Sequence, residues 1–447
     1  MKRRVRLAAS IALVAGALCA PAGAEGGSSH SLPDGASLEA GAPGGPGLAL
    51  LSRKILTCEY GGRGHVDNGV LLVKDGLIEA VGRRAEVEVP EGYEVVDLGD
   101  LWLSPGMIDL HCHVAGMSLF QVNDLNDMVF LTNPGVRASA SVVPNIGTLQ
   151  RGLAGGVTSV LYIPGSGTNI GGQGVLLKTG FDEFDDMLIR DPGSLKLAQA
   201  GNPERFGWGI GRAFMNWNTR DTFNRGLEYA REIAALEAAG ETLPTPEPQW
   251  HVFHDLNSHD IAVSTHTQIY QVVAMTISMI RQELGLSVFL DHSTIGAWRL
   301  GGVAEEAGVP AIVGPRQIDT PSRGMINWAA STHEGVRGVA AGYQQMGNTK
   351  VGFNTDSPVV PQEELLVQAT VGVRYGFDDG GMDALRGLTI VPAIAARIDH
   401  RVGSLEPGKD ADILITNGYP VDPRVHVEAI LIEGRNVYDT REERRRW

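Results

Sequence analysis

The sequence predicts an α/β fold: a (β/α)8 TIM barrel with a small β-sandwich domain built from both chain ends. Three observations predict it. Between residues 104 and 398, short apolar runs alternate with helical or loop segments. The flanking stretches, 48–103 and 399–440, read instead as short β-like runs separated by turns. At 447 residues the chain has room for a large barrel and a smaller domain together.

The first two dozen residues stand apart from this plan. Lys2, Arg3, Arg4 and Arg6 precede an apolar run over 7–18, and Ala22-Gly-Ala24 offers a small-residue cleavage site. Residues 1–24 therefore read as an export signal cleaved near Ala24, which places the mature chain in the periplasm or outside the cell. The apolar run is shorter than the roughly 20 residues a bilayer span needs, so no stable membrane anchor is expected. An uncleaved anchor is the alternative, and Leu18 before Cys19 is too large for a lipoprotein signal. Residues 25–47 are rich in Gly, Ser, Pro and Ala and read as a flexible linker.

In 48–103, Asn68-Gly69 and Asp75-Gly76 bracket the apolar stretch at 70–74, and Pro90-Glu-Gly92 precedes another at 93–96. The barrel candidates are 107–113, 157–163, 175–178, 195–198, 261–266, 287–292, 311–314 and 351–356. Between the fourth and fifth, residues 221–239 repeat Phe223, Leu227, Ala230 and Ala234 on one helical face. The run Leu243-Pro-Thr-Pro-Glu-Pro248 then reads as an exposed spacer. A doubly wound open sheet is the runner-up. Residues 411–415 and 427–432 return to strand patterning and complete the first β domain, and 441–447 form a charged tail.

Hydrophobic content of 43% and charged content of 20% are ordinary for a globular protein. A net charge of -15 argues against nucleic acid as a partner, because phosphates require Lys/Arg surfaces. After export only Cys58 and Cys112 remain, too few for a disulfide framework.

The chemistry concentrates at strand ends. Gly106-Met-Ile-Asp-Leu-His-Cys-His113 is an apolar strand closing on two histidines at i, i+2, which share one face while Cys112 takes the other. Neutral imidazole is the commonest metal ligand, yet a lone His-x-His is weak, since surface histidine pairs are common. Three later strands end the same way, at His266, His292 and Asp356. Singly, each is more often a satisfied histidine or a capping Asp. Jointly, at strand ends that converge on one barrel mouth, they point to a metal centre. Asp109, by alternation on the face of His111 and His113, is placed to orient a ligand histidine through its second nitrogen, or else to serve as a structural carboxylate.

These motifs resemble those of the metal-dependent amidohydrolase superfamily, in the branch grouped with imidazolonepropionase and secreted prolidase-like enzymes. The resemblance rests on Ser104-Pro-Gly-Met-Ile-Asp-Leu-His-Cys-His113, Thr355-Asp-Ser-Pro358, Val402-Gly-Ser-Leu-Glu-Pro-Gly-Lys-Asp-Ala-Asp-Ile-Leu414 and the loop Gly165-Ser-Gly-Thr-Asn-Ile-Gly-Gly172. It implies that His111, His113 and Asp356 hold the more buried metal and that His266 and His292 hold a second when there is one. In two-metal members a carbamylated lysine bridges the pair; Lys196 is the first choice here and Lys178 the alternative. The stretch after Lys196 reads Ala-Gln-Ala-Gly-Asn-Pro where that subgroup carries Gly-Glu-Asn-Pro, so one and two metals both remain open.

The implied reaction is hydrolysis of a C–N bond by metal-bound hydroxide, with Asp356 as general base and then general acid. Zinc is the default ion; manganese, iron or cobalt can substitute. Expected substrates are a small amide, an N-acyl amino acid or a dipeptide. Arg316 could clamp a substrate carboxylate, Gln268 and Tyr270 are further substrate-binding candidates, and Tyr162, Arg323 and His333 also fall on loops after strands. The bland alternative for Arg316 is a rim residue in solvent. His251, His254 and His259 read as helix or loop histidines away from the site. Two further readings stand: a single-metal deaminase or cyclic-amidine hydrolase, and an inactive barrel that only binds. The oligomeric state is open, a homo-oligomer included.

Overall fold

The computed structural model describes residues 31–442 apart from 34, 36, 40, 63, 117–128, 208 and 321–334. The segment read as an export signal, Arg323, His333 and most of the charged tail lie outside the described residues. Residues from Ser31 onward form one compact unit.

Five strands open the chain: β1 (Leu48–Leu56), β2 (His65–Lys74), β3 (Leu77–Arg83), β4 (Glu94–Asp97) and β5 (Trp102–Pro105). The barrel strands follow: β6 (Met107–Cys112), β7 (Val157–Tyr162), β8 (Ile170–Lys178), β9 (Leu188–Ala198), β10 (Ala262–Ile269), β11 (Val288–Ile295) and β12 (Ala311–Val313). A two-residue pair, β13 (Ile318–Asp319) and β14 (Arg337–Gly338), precedes the last barrel strand, β15 (Val351–Phe353). The chain ends on β16 (Ile413–Thr416), β17 (Val427–Ile432) and β18 (Arg435–Asp439).

Both chain ends do share one β structure, since β16 pairs β5 and so continues the sheet begun by β1–β5. Hydrogen bonds join all eight strands into one sheet, where two facing sheets were expected. One edge of β1 is divided between neighbours: Leu48–Leu51 pair with β4 and Lys54–Ile55 with β5. The β2–β3 turn falls at Asp75-Gly76, both with positive φ, as the hairpin signal required. The described part of the segment read as a flexible linker is packed: Leu32 and Leu38 are buried in the core of this sheet.

The second sheet runs β6-β7-β8-β9-β10-β11-β12-β15 in space, and a Cys112–Ser357 bridge, with His113 N–H donating to the Ser357 carbonyl at 2.9 Å, draws its two ends together. The eight strands match the eight apolar runs, but strict β/α alternation fails at one place. β8 is antiparallel to both β7 and β9, while the other pairings are parallel. Only seven residues, 163–169, separate β7 from β8. A parallel crossover needs about ten or more residues, so the chain can only turn back as a hairpin. The consequence is a reversal of polarity. Lys178, at the end of β8, lies beside Ser159 near the start of β7, at the barrel floor, and the Gly165–Gly172 loop lies at the mouth.

Below the mouth the barrel is closed by an apolar plug. Ile108 and Leu110 on β6, Leu161 on β7, Leu176 on β8, Ala262 on β10, Phe289 on β11 and Ile312 on β12 form one buried cluster with the helix Ile390–Ala396. This is the filled interior expected of such barrels, and it confines polar chemistry to the strand ends. The helix read over 221–239 begins earlier and spans Arg212–Ala239, ending at Gly240 in the left-handed conformation. The Pro-rich spacer after it is exposed.

Candidate metal centre

His111 and His113, at the end of β6, sit with ring centroids 5.0 Å apart, edge to face. His292 on β11 lies 4.5 Å from the His111 ring and 4.5 Å from the His266 ring, which comes from β10. Asp356, just past β15, places Oδ1 3.4 Å from His111 Nε2 and 3.3 Å from His113 Nε2. Lys196 on β9 puts Nζ 3.1 Å from His111 Nε2 and is fully buried. The five His and Asp residues read at strand ends and the lysine preferred among the two thus meet in one place. One ligand atom from each of His111, His292 and Asp356 lies within 4.8 Å of the others, a group able to hold a metal ion.

Ring orientation follows from partners behind the cluster. His113 Nδ1 contacts the Ile163 carbonyl at 2.9 Å, and His292 Nδ1 contacts the Gly314 carbonyl at 2.8 Å. Each carbonyl accepts an Nδ1–H, which leaves the Nε2 lone pair turned toward the centre. His292 Nε2 and both ring nitrogens of His266 are buried without a hydrogen-bond partner among the described residues. A buried polar atom without a partner is costly, so these nitrogens are arranged for something other than the protein.

Burial, reinforced by the Lys196 charge, pushes His111 well below its ordinary pKa; burial and His292 do the same to His266. Burial also lowers His292 against the opposing field of Asp356. Neutral imidazole, the ligating form, is therefore favoured at all three. Burial alone would raise Asp356, but its interactions with His292, His113 and Lys196 outweigh that and hold its carboxyl below the usual range.

Asp109 corrects the alternation argument. The β6–β7 register shifts between Asp109 and Cys112, so simple alternation does not hold across this stretch. Asp109 accepts from the His111 backbone N–H at 3.2 Å, from the Thr355 N–H at 3.3 Å and from the Thr355 hydroxyl at 2.5 Å. It fastens the Asp356 turn to β6, and no hydrogen bond joins it to an imidazole among the described residues. Burial pushes its carboxyl up to about 6 against those donors. Thr355→Val removes the hydroxyl donor from a buried carboxylate, and is expected to cost about 1–3 kcal/mol of stability, read from the denaturation midpoint.

The carboxylate that does face a ligand ring is Asp291, which sequence reasoning missed. Its Oδ2 lies 3.3 Å from His111 Nδ1, both fully buried. Alternation turns Asp291 and His292 to opposite faces, but His292 and Ser293 have φ of 61° and 48°, and this kink lets both turn inward. The Asp-His pair at a strand end was the only signal available.

Lys178, the alternative bridge, is committed elsewhere. Its Nζ lies 2.7 Å from Asp410, 3.0 Å from Asp412 and 3.0 Å from Glu433, at the barrel floor. Of the substrate candidates, Gln268 comes nearest the cluster: a Cβ on Gly201 would meet its Oε1 at 3.0 Å and His266 Nε2 at 3.6 Å. Gly201 has φ of 79°, so both space and conformation favour glycine there. The Tyr270 ring is covered by the Arg299 guanidinium at 4.2 Å. Arg316 is exposed beyond β12, without an ion-pair partner among the described residues. The buried Tyr162 hydroxyl bonds Ser141 at 3.0 Å. His254 pairs with Glu237 at 3.1 Å, stacked beside His251, and His259 contacts Ser287, all outside the cluster.

Buried histidines and a carboxylate at the C-terminal ends of barrel strands are the arrangement of a metal-assisted enzyme. Comparison with known proteins agrees. The Amidohydrolase family profile matches residues 304–440. The chain is 24% identical over 401 residues to Amidohydrolase tasK of Hapsidospora irregularis, covering 83% of this chain but only 40% of that longer protein. It is 25% identical over 381 residues to the imidazolonepropionase of Hyphomonas neptunium, covering 78% of this chain and 89% of that one. A solved amidohydrolase from Thermotoga maritima MSB8 superposes with a TM-score of 0.75 at 28% identity, over 88% of this chain and 100% of that one. These matches together support the metal-dependent amidohydrolase superfamily, whose members here are hydrolases of carbon–nitrogen bonds.

Proposed function

We propose that this protein is an exported amidohydrolase that cleaves the amide-type C–N bond of a small amide, an N-acyl amino acid or a dipeptide, with Asp356 as the proton carrier. The observation that carries this reading is the placement of Asp356 Oδ1 within 3.4 Å of two ligand-type imidazoles, with Lys196 buried against the same His111.

The donor set suits a divalent ion. Buried, neutral imidazole nitrogens without partners among the described residues and one ionised carboxylate are what zinc binds, and such a set is poor for harder ions that want oxygen. His111, His113 and Asp356 would hold one ion, and His266, His292 and a modified Lys196 a second. A divalent metal there supplies Lewis acidity, which polarises the scissile carbonyl and brings the pKa of water to about 7.

The protein's own residues do the rest. Asp356, whose surroundings favour its ionised form, accepts the proton of the attacking water and returns it to the leaving nitrogen. The Ile163 and Gly314 carbonyls fix the tautomers of His113 and His292, and Asp291 faces the outer nitrogen of His111. Lys196 favours the two-metal form. The deprotonated amine of Lys196 could add carbon dioxide, forming one N–C bond and releasing one proton, and the resulting anion would offset the repulsion between two divalent cations.

A single-metal reading, hydrolysis of a cyclic amidine or deamination, draws support from the imidazolonepropionase match over most of that relative's length. Metal content per chain separates the two. Protein purified without chelators in bicarbonate buffer is expected to hold close to two ions, and Lys196→Ala to hold one or none. One ion in both proteins would favour the cyclic-amidine reading. No ion after metal supplementation would defeat both.

A further inference from the structure

We propose that the barrel floor carries a second binding site, for a phosphate-type oxyanion, formed by His259, Arg281, Lys350 and Arg397. These four side chains come from four separate elements. His259 precedes β10, Arg281 lies in the last turn of the helix Ile277–Glu283, Lys350 directly precedes β15, and Arg397 caps the helix Ile390–Ala396. All four line one cavity of about 360 Å³, with Ser287 beside them.

Three observations separate this cavity from an ordinary solvated surface. First, no Asp or Glu is among its lining residues, in a chain whose net charge is -15. Second, neither the three cations Arg281, Lys350 and Arg397 nor His259 has a carboxylate within 4.0 Å among the described residues, although most other lysines and arginines on the protein do. Third, their neutral contacts leave donors free. Arg281 uses Nε on the Ala307 carbonyl at 2.9 Å, and the rest of its guanidinium remains available. His259 Nδ1 contacts Ser287 Oγ at 3.2 Å, and Lys350 Nζ stands 5.8 Å from the Tyr60 ring.

Elementary electrostatics sets the ligand class. Like charges converging on one cleft repel, and a small anion of charge -2 bridging them removes the repulsion. Guanidinium forks match tetrahedral oxyanions in two-point contacts, and a lysine adds a mobile point charge. A lone carboxylate offers half the charge and too few acceptors for four donors. Phosphate, free or as a monoester, meets the requirement, and the cavity has room for a monoester's organic part beside the apolar Ile394 and Ala395. The site lies at strand starts, at the other end of the barrel from the metal centre, so it stands whatever reaction that centre performs.

Calorimetric titration of the metal-loaded full chain with inorganic phosphate at low ionic strength tests this. One saturable site per chain is expected, weakened at least tenfold (about 1.4 kcal/mol) in Lys350→Gln/Arg397→Gln at unchanged metal content. Charge-conserving Lys350→Arg/Arg397→Lys is expected to keep most of the affinity, which guards against a folding defect in the first variant. Glycerol phosphate binding more tightly than phosphate would assign the site to a monoester, and equal binding to the free ion. Identical titration of wild type and the Gln variant would place phosphate elsewhere, at the metals above all, and overturn the proposal, as would absence of saturable binding.

Discussion

Asp356→Asn is expected to leave the fold and metal content near normal while lowering kcat/KM by about 10²–10⁴. The argument is local. The amide is nearly isosteric, so the Asp109–Thr355 clasp that sets the turn, and the left-handed backbone at Asp356 (φ 49°), are both compatible with Asn. The change removes the only carboxylate oxygen among the described residues that is set against both His111 and His113. An amide keeps an oxygen that can ligate but cannot take up the proton of water at neutral pH. Steady-state kinetics beside elemental analysis separates the outcomes. A fall in turnover at constant metal content assigns proton transfer to Asp356. A fall that tracks metal loss makes it a ligand first. Near-normal turnover would remove it from the mechanism.

Much of this centre was legible in the sequence because its signals are local and repeated. An apolar strand stopped by a metal-capable residue is readable one strand at a time, and β6, β10, β11 and β15 all carry it. Barrel closure then supplies the convergence that no single strand can show. What failed was everything that depended on exact parity or direction. Asp109 was assigned a face by counting residues, and a register shift within β6 cancels such a count. Asp291 was hidden by the same rule, since positive φ at His292 breaks alternation where it matters. The reversal of β8 had a signal in the short gap after β7, but the glycines of 171–174 concealed that the strand starts at Ile170. Leu32 and Leu38 were lost in a Gly/Ser/Pro-rich background, where two buried leucines do not shift composition.

Direction also decides the last expectation, Lys178→Met. Because β8 runs toward the floor, its terminal lysine meets the C-terminal segment rather than the metals. Lys178 is 1% exposed, and the carboxylates of Asp412, Asp410 and Glu433 surround it. Burial alone would lower its pKa; the three carboxylates more than reverse this and hold it charged. Arg401 adds a second cation, 2.8 Å from Asp410 and 3.3 Å from Glu433, but at 32% side-chain exposure it is partly screened. Removing Lys178 therefore leaves buried carboxylates against a single, more distant charge, and burial already pushes Asp412 up. Breaking a buried ion network from one side costs about 3–5 kcal/mol, so Lys178→Met is expected to lower stability by that amount. Arg401→Gln, at the exposed edge, is expected to cost about 1 kcal/mol. Denaturant midpoints of the metal-loaded proteins check both. Equal, small losses would mean that the network is solvated and that β8 is held to the C-terminal strands by apolar packing alone.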